Sequence, residues 1–270
     1  PGIYHQHMGN KRVGVIGYGY IGRDVVRRIE AATGVEVAFV HNRSAAAVAD
    51  LDPSLVLRDV ADAGEWSVDL VVETAHRSIT RDHGVSLNGL ADYMPLSTTA
   101  LVDDDLRAAL MSAGEAAGHR LFLAAGALIG GSVLAMRPQA WERVKITFRK
   151  HPQNLDLSES GLDIADKAGP TTIFLGSARE IAGLFPRNVN TMVTCALLSV
   201  GLDTCECELV ADPGLDRAVA EVEAWGHDGG YVRTDIRQPA VGVSGTERLD
   251  SVWFSVTRAL GLRSGGLDLV

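Results

Sequence analysis

The chain has 270 residues, 46% hydrophobic and 22% charged, enough to bury a core and to divide into two modest domains. A formal net charge of -9 argues against a nucleic-acid partner, whose phosphates demand clustered lysine and arginine, and no apolar run is long enough to span a bilayer. The three cysteines, Cys195, Cys205 and Cys207, are odd in number and share no metal-ligand spacing with histidine, so they read as reduced structural thiols of a cytoplasmic protein, with no metal site expected.

Residues 1–7, ahead of Met8, read as a remnant foreign to the fold, and no export signal precedes the first strand. From Lys11 the chain runs through a short apolar strand into Gly17, Gly19 and Gly22 and then a helical pattern. In that strand–turn–helix context G-x-G-x-x-G marks a dinucleotide site. Gly17 permits the tight turn, Gly19 the approach of a pyrophosphate, and Gly22 close packing of helix on strand. Gly17, Tyr18, Gly19, Tyr20, Ile21 and Gly22 are therefore cofactor-binding candidates, with the phosphates on the free N–H groups of the helix.

The second strand, Val35 to His41, ends in Asn42, Arg43 and Ser44 rather than in an acid. An Asp or Glu there would accept from the ribose of NAD, whereas arginine beside small polar donors suits a 2′-phosphate. NADP(H) is thus favoured over NAD(H), and Asn42 or Ser44 can also cap the following alanine-rich helix. Further strands are expected at 55–57, 70–73, 93–97 and 120–124, with helices at 23–32, 45–50, 78–90 and 103–117. Thr74, Ala75 and His76 follow a strand at the carboxyl edge of this sheet, where ligands bind, and join the cofactor candidates.

The pattern changes after the segment Gly126 to Gly131. Strands are expected at 144–149, 171–175, 206–210, 219–225 and 230–236, with an apolar helix from about Asn188 to Leu202. The architecture expected is α/β, a Rossmann-type dinucleotide-binding domain with a parallel sheet plus an α+β substrate domain with a mostly antiparallel sheet. The first spans 8–125 with 247–264 returning to it, and the second, for substrate and dimerisation, spans 126–246.

The stretch Gly176 to Asn190 (GSARE…FPRN) closely resembles the signature of L-aspartate dehydrogenase-like proteins, as do the glycine turn Ala125 to Gly131 and the strand Thr147 to Pro152. The resemblance implies a homodimeric, NAD(P)-dependent oxidoreductase of amino acid metabolism, passing hydride to or from the α-carbon of a small anionic amino or imino acid. It makes Asn188 a site residue for both cofactor and substrate, and Lys150 a candidate for a substrate carboxylate. Gly126 joins the cofactor set. Gly130 and Gly131 are placed beside the substrate, where glycine allows close backbone approach.

The pattern departs from the family at two positions. The family's Asn-x-His-Glu-Ile stretch is matched by Ala218 to Val222, so Ala218 replaces the asparagine and Ala220 the catalytic histidine. Its later Asn-Pro-Lys-Thr-Ser loop is replaced by Gly242 to Glu247. The resemblance implies L-aspartate, and these losses set against it another small amino or imino acid, with a second reading that keeps aspartate and recruits another histidine. His227, in a turn beyond Ala220, and His76 are the candidates for the missing imidazole, with Asn188 as the third catalytic candidate. His151 is a further histidine in the strand motif, and Arg149 and Arg187 are expected with Lys150 near an anion. The alternative reading is a nucleotide-binding homologue without turnover, such as a sensor.

Overall fold

Why the first half makes a parallel sheet is visible in its burial. The computed structural model describes residues 9–164, 168–241, 244–245 and 248–262. Strands β1 (Lys11–Ile16), β2 (Val35–His41), β3 (Leu70–Glu73) and β4 (Asp92–Pro95) are all parallel, in the order β2-β1-β3-β4. Every residue of β3 is buried, as expected of a short apolar strand covered on both faces. Helices α1 (Tyr20–Ala31) and α2 (Arg77–Leu90) make the crossovers. The buried positions Val25, Val26 and Ile29 of α1 repeat with helical spacing.

The chain forms two compact units. One takes in the described residues up to Pro95, then Ala109–Phe122 and the residues from Trp253 onward; the other takes in Leu96–Ala108 and Leu123–Val252. Helix α3 (Asp104–Ala117) and, near the end, the helix at Arg248–Ala259 each contribute to both units. Segment 96–108, read from sequence as part of the first domain, belongs to the second unit because its polar groups are used there. Thr98 Oγ1 donates to the Asn190 carbonyl at 2.6 Å and Thr99 Oγ1 to that of Pro186 at 3.1 Å.

The second unit is a five-stranded sheet backed by helices. Its strands β5 (Trp141–Lys150), β6 (Thr171–Ser177), β7 (Glu206–Ala211), β8 (Ala218–Gly226) and β9 (Tyr231–Gln238) lie in the order β6-β7-β5-β8-β9. Only β5 and β7 pair in parallel, so the sheet is mostly antiparallel. One face, with Ile146, Phe148 and Val222, packs into a core with Ile181, Phe185 and Met192. The three cysteines are free and buried in the same core. Alternation sends the other face outward, where Lys145 pairs with Glu208 at 2.8 Å and Glu221 with Arg233 at 2.7 Å.

Several expected elements are shorter or different. The strand expected at 55–57 is a 3₁₀ turn at Pro53–Leu55, started by Pro53 and by the Asp52 carboxylate accepting from Ser54 N–H, followed by a single bridge from Val56 to Val40. The strand expected at 120–124 is reduced to one bridge, Leu121 to Tyr93, because the chain leaves the first unit after Phe122. The alanine-rich helix at 45–50 is a 3₁₀ turn, Ala45–Val48, which no side chain caps. The long helix expected at 188–202 is the shorter α6 (Asn190–Leu197), and the separate helices α4 (Gly131–Met136) and α5 (Ala178–Leu184) precede it. Gly201, at φ +90°, takes the left-handed conformation beyond the end of α6, and its N–H bonds the Ala196 carbonyl. Residues 1–7, most of the loop 242–247, and 263–264 of the returning segment lie outside the described residues.

Candidate functional site

The strand order places a topological switch at β1. The chain moves to one side to form β2 and returns to the other for β3, so the crevice lies outside the carboxyl ends of β1 and β3. The two segments there are the glycine turn after Ile16 and Thr74, Ala75 and His76 after Glu73. They support each other. Thr74 N–H donates to the Ile16 carbonyl at 2.7 Å, and the Thr74 hydroxyl to the Gly17 carbonyl at 2.8 Å. Glu73, fully buried, accepts from Ala75 N–H at 2.6 Å. His76 caps α2: its Nδ1 accepts from Ser78 N–H at 3.2 Å.

The three glycines are separated by their surroundings. Gly17 has φ +101°, and a Cβ there would lie 2.8 Å from Ala75 N. A Cβ at Gly22 would lie 1.9 Å from the Gly17 carbonyl oxygen. A Cβ at Gly19 would meet no non-neighbouring atom within 4 Å. Gly19 is also the N-cap of α1, and no side chain caps that helix. An open approach over an uncapped twelve-residue helix is what a pyrophosphate requires, so the residues present fit a dinucleotide. Tyr20 begins α1 half-exposed, and Ile21 follows it.

At the end of β2, Asn42 does not cap the next turn. Its Oδ1 accepts from Tyr18 N–H at 3.1 Å, tying the strand end to the glycine turn, and its Nδ2 donates to the Ser44 carbonyl at 3.3 Å. Arg43 and Ser44 are exposed beside it. Among the described residues no group of three metal-ligating side chains is assembled.

In the second unit, Asn188 is buried and both ends of its amide are engaged. Oδ1 accepts from Asp156 N–H at 2.9 Å, and Nδ2 donates to the Asp156 carbonyl at 2.6 Å. It fastens the loop after β5, while Val189, not Asn188, is the N-cap of α6. Asn188→Ala is expected to lower stability by about 2 kcal/mol, because two backbone groups of Asp156 lose their partner. Thermal melts check this; a Tm equal to wild type would show that the loop does not depend on the amide. Arg187 pairs with Asp156 at 2.8 Å and is exposed. Gly126 and Gly130 have positive φ, +57° and +84°, and Gly131 starts α4.

Lys150 ends β5 on the face of Phe148, buried, with Nζ 5.4 Å from that ring's centroid. Arg149, expected with it, points to the other face and pairs with Glu221 at 3.3 Å, because neighbouring strand residues alternate. His151 caps the 3₁₀ turn at Pro152–Asn154, accepting from Gln153 N–H at 3.2 Å.

The family model described as aspartate dehydrogenase, C-terminal, matches residues 133–242, and that of the homoserine dehydrogenase NAD-binding domain matches residues 17–124. An aspartate dehydrogenase domain-containing protein of Danio rerio is 34% identical over 91% of this chain and 93% of its own. The chain belongs to the aspartate dehydrogenase-like family. The L-aspartate dehydrogenase of Ruegeria pomeroyi is 33% identical over 82% of this chain and 81% of its own. The crystal structure of aspartate dehydrogenase from Thermotoga maritima superposes with a TM-score of 0.75 at 25% identity, covering 96% of this chain and 99% of that one. This aspartate dehydrogenase-like protein is thus an NAD(P)-dependent oxidoreductase by family, with the parallel and antiparallel sheets expected of it.

Within this aspartate dehydrogenase-like fold, the two replaced positions sit together with Lys150. Ala220 lies opposite Phe148 on β5 and Ile236 on β9, and Ala218 lies opposite Gln238. All share the core face at the Lys150 end of the sheet. Gln238 is a buried polar residue there that the sequence pattern did not single out. His227 is not brought to this place. It lies seven residues farther along β8, about 23 Å at 3.3 Å per residue, exposed in the β8–β9 turn with its N–H on the Ala140 carbonyl. Another missed feature had a legible signal. Ser177 and Glu180 form a capping box, S-x-x-E, with Ser177 N–H donating to Glu180 Oε2 at 2.8 Å, which is why α5 starts just inside the family block.

Proposed function

We propose that the protein is an NADP(H)-preferring dehydrogenase or imine reductase acting on the CH–NH2 carbon of a small anionic amino or imino acid, with aspartate not its principal substrate. The observation that carries this reading is the pairing of an intact glycine turn with alanine at 218 and 220 beside buried Lys150. The first unit holds the dinucleotide through Gly17, Tyr18, Gly19, Tyr20, Ile21 and Gly22, with Asn42, Arg43 and Ser44 at the adenosine end and Thr74, Ala75 and His76 lining the strand ends. The bound nicotinamide supplies or accepts hydride. The second unit holds the substrate: Lys150 takes a carboxylate, and Asn188 keeps the loop at Asp156 in place. Gly126, Gly130 and Gly131 shape the glycine-rich segment beside it.

Alanine has no proton to exchange, so in this reading a bound water or the ammonium itself serves the substrate nitrogen. His76, which follows β3 and caps α2, is the histidine this reading keeps as an acid–base candidate. In this reading the protein acts in the cytoplasm and as a homodimer, the second of which light scattering in solution tests directly. A reading without turnover, as a nucleotide-binding sensor, is favoured by Ala218 and Ala220 alone.

The experiment is a fluorescence titration with NADPH and NADH, followed by oxaloacetate with ammonium and then by other keto acids with ammonium. Tighter NADPH binding, weak oxidation with oxaloacetate and faster oxidation with another acid support the proposal. Binding with no oxidation by any acid leaves the sensor reading. Arg43→Ala is expected to weaken NADPH by about tenfold and leave NADH unchanged, because only the 2′-phosphate makes the charge-assisted bonds. Equal loss for both nucleotides would remove Arg43 from that role.

A further inference from the structure

We propose that Arg23, held over the aromatic ring of Tyr18 in the glycine turn, is a second specificity-determining residue for the 2′-phosphate in addition to Arg43. The inference rests on the NADP(H) reading above and deepens it. Arg23 lies in the first turn of α1, immediately after Gly22. Its guanidinium carbon stands 4.4 Å from the centroid of the Tyr18 ring, and the Tyr18 N–H is bound by Asn42 at the end of β2. From there its Nη2 donates to the Ala47 carbonyl at 2.8 Å and its Nη1 reaches Asp50 Oδ2 at 3.4 Å. The helix residue thus reaches to the segment just beyond Arg43 and Ser44, so Arg23 and exposed Arg43 come to the end of β2 from different elements.

The chemistry of these contacts points to an anion. A guanidinium has five N–H donors, and the two contacts with protein oxygen use two of them. The Asp50 contact is long and exposed, 47% and 61% for the two side chains, where an ion pair is worth little and exchanges readily for a stronger acceptor. Stacking on Tyr18 orients the plane of the group without consuming donors. A dianionic phosphate ester offers several acceptor oxygens and can take the place of Asp50. A ribose hydroxyl offers no comparable charge, so Arg23 distinguishes NADP(H) from NAD(H). Asp50 opposes the same anion and holds the arginine in position until it binds.

The competing explanation is that Arg23 only ties the segment Ala45–Asp50 to α1. Titrations of the full chain with NADPH, NADH and 2′,5′-ADP separate the two. Arg23→Ala is expected to raise the NADPH and 2′,5′-ADP dissociation constants about tenfold while NADH stays within about twofold. Arg23→Lys should recover part of the loss, and Asp50→Asn should tighten NADPH several-fold. Equal weakening of both nucleotides by Arg23→Ala, or no weakening of NADPH, overturns the proposal. If Arg43→Ala removes the preference and Arg23→Ala leaves it, only the Arg23 assignment fails. If the wild type does not prefer NADPH, the parent reading fails and this one with it. Retained NADH binding shows that each variant is folded.

Discussion

Gly22→Ala is expected to lose dinucleotide binding and to destabilise the protein by about 3 kcal/mol, whereas Gly19→Ala loses binding with its fold nearly intact. The difference comes from what each added methyl meets. At Gly22 it would lie 1.9 Å from the Gly17 carbonyl oxygen and 2.9 Å from Thr74 Oγ1, so the helix must move away from the strand. That carbonyl is also the acceptor for the Thr74 hydroxyl, so β3's support of the turn is lost with it. At Gly19 the methyl meets no protein atom beyond its chain neighbours, and the backbone there, φ -91°, is open to any residue. The remaining cost is that of alanine at an N-cap, within about 1 kcal/mol. The methyl instead occupies the approach of the pyrophosphate, and NADPH affinity should fall more than tenfold, roughly the loss of one charge-assisted contact or more. Thermal melts and nucleotide titrations of the two variants check this. Normal NADPH binding by Gly19→Ala would move the pyrophosphate elsewhere.

Restoring an imidazole at position 220 carries the second large effect. Ala220→His, alone and with Ala218→Asn, is expected to raise turnover of oxaloacetate plus ammonium at least tenfold, since a positioned acid–base group contributes about 10²–10⁴ in rate. Position 220 shares the face of Lys150 at the same end of the sheet, so the ring would stand on the face of the lysine proposed to take the substrate carboxylate. The same site is buried between Phe148 and Ile236, and the added volume should lower stability by about 1–3 kcal/mol. The gain should appear with a new ionisation near neutral pH in the rate profile, as an imidazole confers. A folded, nucleotide-binding variant with unchanged turnover would mean that proton transfer at this position does not limit the reaction.

His227 lies in the turn beyond β8, a strand's length from Ala220. A residue seven positions along a strand is displaced by the whole length of the sheet, however close it looks in the sequence. Lys150 and Arg149 make the same point at a distance of one residue. They look like a basic pair in the sequence, but the pleat assigns one to the core face and the other to Glu221 outside.

Local chemistry was legible from the residues alone. The glycine turn, the parallel strands at 11–16, 35–41 and 70–73 and the resemblance carried by Gly176 to Asn190 needed only spacing and residue type, because turns, buried strands and motif blocks are encoded within a few neighbouring positions. Tertiary structure alone decided what depends on distant partners. It assigned segment 96–108 to the second unit through Thr98 and Thr99, and committed the Asn188 amide to Asp156. It set Gln238 opposite Ala218 and carried Arg23 over Tyr18 to Ala47 and Asp50. A side chain's type is fixed by its codon, but the group it meets is chosen by strand register and crossover, which no local window contains.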